Sequence, residues 1–271
     1  MEYLTLNTGA KTPVLGFGTY QISPRDTAAA VETAIETGYR LIDTSQDYYN
    51  ERQVGDGIKA SGIDRHELFL TTKVDTDGYE DTKRGIEESL KKLQTDYLDL
   101  MILHWPRPQS LGAYKALEEY YRAGTTKAIG LSNYNIQETK DLIAHTEVMP
   151  AVDQIETNLS LQQGKMHKFL TGQGIIHEAW SPLAQGGRAL NNYPTLKKIG
   201  DKYGKTGVQV LLRFLTQEKI MTIPRSINPA HIKANFEVLD FQLTSDELKQ
   251  IRALDQHRSA IGWPANMVVD A

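Results

Sequence analysis

Cysteine is absent from the 271 residues, which excludes disulfides and thiolate metal ligands and fits a reducing compartment. No apolar run is long enough to span a bilayer. The first residues, Met1-Glu2-Tyr3-Leu4-Thr5, lack the charged lead and apolar core of a secretion signal. Residence in the cytoplasm, without a membrane partner, is therefore expected. Basic runs are also missing, and a net charge of -4 gives no electrostatic reason to expect nucleic acid. His66, His145, His167, His177 and His257 show no metal-ligand spacing, so no metal is expected. What remains is 40% hydrophobic and 24% charged, the make-up of a soluble globular protein. The length suits one α/β barrel, expected as a single domain over residues 1–271.

The pattern along the chain is regular. Tyr3 to Leu6 alternates, turns at Asn7-Thr8-Gly9 and resumes toward Val14-Leu15, which reads as a hairpin. Pro13 to Thr19 reads as a further strand. Gly16-Phe17-Gly18 resembles the start of a dinucleotide fingerprint, but Gln21 stands where the third glycine belongs. Strands are then expected at Tyr39–Asp43, Leu68–Val74, Tyr97–His104, Lys127–Ser132, Val152–Glu156, Ile175–Trp180 and Ile220–Ile223. Helices fall between and after them, such as Arg25–Thr37, stopped by Gly38, and Tyr79–Leu93, carrying Ile86, Leu90 and Leu93 on one face. Strand–helix alternation repeated about eight times after a hairpin argues a (β/α)8 barrel with extra C-terminal helices. A doubly wound sheet is the structural rival.

Parallel strands are apolar on both faces, so polar residues at their carboxyl ends stand out. Leu41-Ile42 ends at Asp43, and Tyr48 follows one short loop later. Phe69 to Thr72 ends at Lys73, and Leu100 to Leu103 ends at His104. A buried ammonium needs a counter-charge, and Asp43 is the obvious partner for Lys73. Beside Lys73 the Tyr48 phenol is expected to have a lowered pKa, because a nearby cation favours phenolate. Such a phenol can protonate a carbonyl oxygen as it becomes an alkoxide. His104, as a neutral donor, could orient that carbonyl and stabilise developing charge.

Leu41–Glu51, Thr71–Val74, Leu103–Pro106, Gly130-Leu131-Ser132-Asn133-Tyr134, Asp153-Gln154-Ile155-Glu156, Trp180-Ser181-Pro182-Leu183 and Ile223-Pro224-Arg225-Ser226 together resemble the aldo-keto reductase family, in that family's order and across nearly the whole chain. The short connection after His104 is most similar to bacterial members such as the 2,5-diketo-gluconate reductases. The resemblance implies NADPH-dependent reduction of aldehydes and ketones on a barrel, with no Rossmann fold and no metal. It implies a tetrad of Asp43, Tyr48, Lys73 and His104, with Tyr48 as proton donor. It places Ser132, Asn133 and Gln154 on the nicotinamide amide and Trp180 as the stacking aromatic. Ser181 and Leu183 fall along the pyrophosphate; Arg225, Ser226 and Asn235 fall at the adenosine end. Thr19 and Tyr20 are placed with the cofactor as well.

Three departures from the family pattern stand out. Asp153 replaces an asparagine, and Ala234 an acidic residue beside Asn235. His231, six residues after Arg225, replaces an arginine that grips the 2′-phosphate. Imidazole is a weaker clamp than a guanidinium fork, so NADH is expected to be tolerated alongside NADPH. The substrate pocket is expected to be walled by Phe17, Tyr20, Tyr49, Trp105 and Trp263, with Met267 nearby. The partner is a small carbonyl compound, and the chain is expected to be a monomer. Two alternatives stay open: a Schiff-base lyase using Lys73 as nucleophile, and a cofactor-binding regulatory or redox-sensing barrel with little turnover.

Overall fold

The computed structural model describes residues 1–184 and 186–262. Strands β1 (Tyr3–Thr5) and β2 (Lys11–Pro13) form the expected antiparallel hairpin, with Tyr3 opposite Pro13 and Thr5 opposite Lys11. Gly9 turns it at φ +84°, a conformation that glycine adopts at no steric cost. Asn7 donates to the carbonyl of Pro150 (2.8 Å), just ahead of a barrel strand, so the hairpin lies across the amino-terminal ends of the strands.

Eight parallel strands follow: β3 (Phe17–Gly18), β4 (Leu41–Asp43), β5 (Phe69–Val74), β6 (Leu100–Leu103), β7 (Ile129–Ser132), β8 (Val152–Glu156), β9 (Ile176–Trp180) and β10 (Met221–Thr222). Each pairs with its sequence neighbour. The ring closes between the last strand and the first: Thr222 N donates to Val14 O (2.9 Å), Gly16 N to Thr222 O (2.9 Å) and Gly18 N to Pro224 O (3.1 Å). The Gly16-Phe17-Gly18 stretch thus serves closure. A Cβ on Gly18 would meet the Ile223 carbonyl oxygen at 2.7 Å, and one on Gly16 would run into Leu41.

Helices connect the strands on the outside. Their bounds follow the sequence closely, Tyr79–Leu93 included. Gly38 ends the helix Pro24–Thr37 in a left-handed cap. Differences concentrate at strand ends, where the sheet frays into loops. The strand expected over Tyr97–His104 spans Leu100–Leu103, with a further bridge at Leu98, and at its end the His104 N–H is held by the Val74 carbonyl (2.9 Å). A short helix, Gly187–Asn191, lies after β9 where none was expected; two glycines open the segment and hide a helical pattern. Among the described residues no helix is long and apolar enough to cross a membrane.

Candidate active site

Register sets which side chains share the barrel interior. Asp43 pairs with Thr71, and Lys73 lies two residues further along the same strand. Alternation points Thr71 and Lys73 to one side. Ser132, Gln154 and Glu178 are in register on β7, β8 and β9. Tyr48 arrives differently, on a 3-10 turn, Gln46–Tyr48, capped by the Ser45 side chain and ended by Tyr49 at φ +55°. Asn50 locks this loop to the barrel rim: it accepts from Thr44 Oγ1 (3.1 Å) and donates to the carbonyls of Thr19 (3.0 Å) and Ile22 (3.1 Å).

These elements bring Lys73, Asp43 and Tyr48 together. Lys73 Nζ donates to Asp43 Oδ1 (2.6 Å), to the Thr44 carbonyl (2.9 Å) and to the Tyr48 hydroxyl (3.3 Å). Gln154 Nε2 donates to the other Asp43 oxygen (3.0 Å). Lys73 and Asp43 are both buried. Burial is the largest influence and works against the ammonium, but the charge and hydrogen bond of Asp43, with Tyr48 and Glu178, together outweigh it and raise the Lys73 pKa above its ordinary value. For Tyr48 the outcome differs from the sequence expectation. Burial pushes the phenol up to about 12, and the pull of Lys73 in the other direction is smaller. The group is fully protonated at neutral pH.

His104 is buried, and its ring meets Tyr48 edge-on, with centroids 5.9 Å apart. Its Nδ1 lies 3.0 Å from Ser45 Oγ and 3.1 Å from Asp47 Oδ2. Burial lowers the His104 pKa, only partly opposed by Asp47. The Asp47 carboxyl is lowered, chiefly through its hydrogen bond to His104.

A cleft of about 1090 Å³ runs from this cluster along the mouth. It is lined by Asp43, Tyr48 and His104 with Tyr20, Trp105, Asn133 and Gln154. Trp180, Ser181, Leu183, Arg225, Ser226, His231 and Asn235 line the same cleft. Asn133 is held by three bonds: its amide donates to His104 O (3.0 Å) and Ser132 Oγ (3.0 Å) and accepts from Trp180 Nε1 (2.9 Å). Ser181 sits at φ +51°, with a buried hydroxyl that no described residue satisfies. That orphaned hydroxyl, the exposed Arg225 and the elongated cleft fit an extended anionic cofactor such as NADPH.

Several expected positions fall elsewhere. Phe17 is buried against Tyr39, with ring centroids 5.8 Å apart, and Tyr49 is 84% exposed; neither lines the cleft. The tight turn at Tyr49 swings its ring outward. Thr19 is buried, donating to the Asp43 carbonyl (3.0 Å), and Ser132 is buried, donating to the Gln154 carbonyl (2.8 Å). Both sit behind the wall. Trp263 and Met267 lie outside the described residues. Among the described residues no three histidine, aspartate or glutamate side chains are grouped to hold a metal.

The sequence reading missed Asp47, next to Tyr48, and Glu178, two residues before Trp180. Glu178 is completely buried, and neither carboxylate oxygen has a hydrogen-bond partner of good geometry among the described residues. Burial, then the charge of Asp43, push its pKa up to about 8, although Gln154 and Lys73 draw it down. A carboxylate inside the barrel strand Ile176–Trp180 was the available signal.

Fold and site together define a barrel oxidoreductase, with acid–base residues at one end of a long cofactor-sized cleft. The chain belongs to the aldo/keto reductase family, whose family model matches residues 14–256. It is 40% identical over 256 residues to the methylglyoxal reductase DkgA of Escherichia coli, covering 93% of each chain. It is 40% identical over 259 residues to the glyoxal reductase of Bacillus subtilis, covering 94% of this chain and 93% of that one. Among solved structures it is similar to an aldo-keto reductase of Bombyx mori in complex with NADP, with a TM-score of 0.91 at 30% identity over 98% of each chain.

Proposed function

We propose that the chain reduces aldehydes and ketones to alcohols with NADPH, using Tyr48 as proton donor. The observation that carries this reading is the Tyr48 hydroxyl held 3.3 Å from the Lys73 ammonium, which is itself 2.6 Å from Asp43. The reduced nicotinamide, when bound, supplies a hydride to the carbonyl carbon. Tyr48 supplies the proton to the carbonyl oxygen, so that one hydride and one proton yield the alcohol. Lys73 stabilises the phenolate left behind, and Asp43, fixed by Gln154, keeps that ammonium in place. His104 orients the substrate. Asn133, Gln154 and Trp180 are the residues we assign to the nicotinamide end, and Ser181, Leu183, Arg225, Ser226 and Asn235 to the phosphates and adenosine. Buried Ser132 and Thr19 hold that wall from behind.

His231 in place of a guanidinium supports a tolerance of NADH beside NADPH. The lyase alternative is disfavoured because Lys73 is buried, charged and committed to Asp43, so no free amine faces the cleft. Monomeric state and cytoplasmic residence belong to the same proposal, and size-exclusion chromatography checks the first.

The test is a carbonyl panel followed at the nicotinamide absorbance. Tyr48→Phe should lower kcat/KM by about 10²–10⁴-fold while cofactor binding persists. Undiminished reduction by Tyr48→Phe would overturn the assignment. A borohydride-trapped substrate adduct on Lys73 would replace it with the lyase.

A further inference from the structure

The Asp47–His104 contact takes no part in the account above, yet it fixes what the histidine offers the substrate. Asp47 precedes Tyr48 on the 3-10 turn, and its side chain is 40% exposed in the cleft. Its Oδ2 lies 3.1 Å from His104 Nδ1, and Ser45 Oγ lies 3.0 Å from the same nitrogen. An ionised carboxylate has no hydrogen to give. A bare Nδ1 lone pair would face its negative charge at contact distance, so Nδ1 must carry the hydrogen. Ser45 fits this assignment: its own hydrogen has the Lys73 carbonyl to turn to, at 3.5 Å, while its oxygen also accepts from the Asp47 backbone N–H (3.3 Å).

With the hydrogen on Nδ1, neutral His104 presents a lone pair at Nε2. Nε2 has no hydrogen-bond partner among the described residues. The charged groups around the pair are Lys73, which disfavours an imidazolium, and Asp75 and Arg107 beyond Asp47. Arg107 is itself tied to Asp75 by a two-pronged bond (2.7 Å to each oxygen), so it does not reclaim Asp47 from the ring. Burial keeps the imidazole neutral at neutral pH, and the Asp47 carboxyl stays ionised.

We infer that Asp47 is a positioning residue that makes His104 a hydrogen-bond acceptor, so that the site selects carbonyl compounds bearing a hydroxyl on the adjacent carbon. This deepens the proposed reduction and rests on it. The carbonyl oxygen accepts from the Tyr48 phenol, and the neighbouring hydroxyl donates to His104 Nε2. The donor role expected of His104 from sequence is thereby reversed. A carbonyl compound with only acceptor oxygens leaves Nε2 unsatisfied, and an unmet polar group in a closed site costs binding.

The experiment compares hydroxyacetone with methoxyacetone, which keeps the electron-withdrawing oxygen and lacks the donor, on the NADPH-loaded enzyme. The ratio of their kcat/KM values should fall by about tenfold or more in Asp47→Leu. It should be largely retained in Asp47→Asn, whose amide oxygen still accepts from Nδ1–H. Nitrogen-15 spectra of the imidazole, with and without NADP, should show the Nδ1–H form in the wild type and Asp47→Asn, and its loss in Asp47→Leu. An Nε2–H imidazole in the wild type, or an unchanged substrate ratio in Asp47→Leu, overturns the inference. If the wild type reduces neither ketone but turns over other members of the carbonyl panel, the substrate preference falls and the reductase reading stands; if it reduces nothing in the panel, both fall, while the spectra still decide the tautomer.

Discussion

Lys73 donates to the Tyr48 hydroxyl across 3.3 Å from a completely buried position. The ammonium can stay charged there because Asp43, on the adjacent strand, lies 2.6 Å away and is itself fixed by Gln154. Even with that cation beside it, burial holds the Tyr48 pKa up at about 12, so the phenol keeps its proton until a carbonyl oxygen develops charge. The phenolate then formed appears next to a pre-placed cation.

The first prediction concerns pH. Reduction needs the protonated phenol, and the Tyr48 pKa is raised to about 12. The rate should therefore be insensitive to this group from neutral pH to about 10, and fall only as pH rises through the folded value. Oxidation of an alcohol needs the phenolate and should rise over the same window. Profiles of log(kcat/KM) in both directions check this. A reductive limb lost near neutral pH, and absent from Tyr48→Phe, would contradict it.

A second prediction concerns the buried ion pair. Lys73→Met leaves Asp43 as a buried charge with only the Gln154 amide for company, and should destabilise the fold by about 3–5 kcal/mol. Replacing both, as Lys73→Met with Asp43→Asn, should cost less than the single change, because no isolated charge remains. Urea denaturation of the wild type, Lys73→Met, Asp43→Asn and the double variant measures the difference. Simple additivity of the two single changes would refute the coupling.

The third concerns Glu178. Its folded pKa is raised to about 8, whereas the unfolded chain ionises it near 4.3. A raised value means stability that is fully present below the unfolded pKa and lost as pH rises through the folded one. Glu178→Gln removes that loss. The variant should gain on the order of a few kcal/mol over the wild type at pH 8, with the gain shrinking toward zero at pH 4. Melting temperatures at the two pH values decide it, and an equal shift at both would rule out ionisation as the cause.

Cofactor choice supplies the fourth. Arg225 is a guanidinium lining the cleft, its Nη2 3.1 Å from Gln21 Oε1, and His231 lines the cleft too. Introducing a second fork with His231→Arg should raise the NADPH-over-NADH ratio of kcat/KM by about tenfold, chiefly through KM for NADPH. An unchanged ratio would mean that Arg225 alone carries the discrimination.

Much of this was legible without coordinates, for identifiable reasons. A barrel strand is buried on both faces, so Asp43, Lys73 and His104 stood out as polar ends of apolar runs, and helices announced themselves by period and by glycine stops such as Gly38. Phe17 and Tyr49 were misplaced because a side chain's side of the wall depends on strand register and on one left-handed turn. Glu178 escaped because its meaning lies in its neighbours across the ring.

The sequence alone determined the alternation of strands and helices, the hairpin, and the kinds of reactive group at the strand ends, since these follow from local preferences and from residue chemistry. Only the closed tertiary structure decided how the groups act on one another. Burial outweighed Lys73 in setting the acidity of Tyr48, and a turn brought Asp47 onto His104. Solvent exclusion and through-space distance govern both results, and neither exists until the ring of strands has closed.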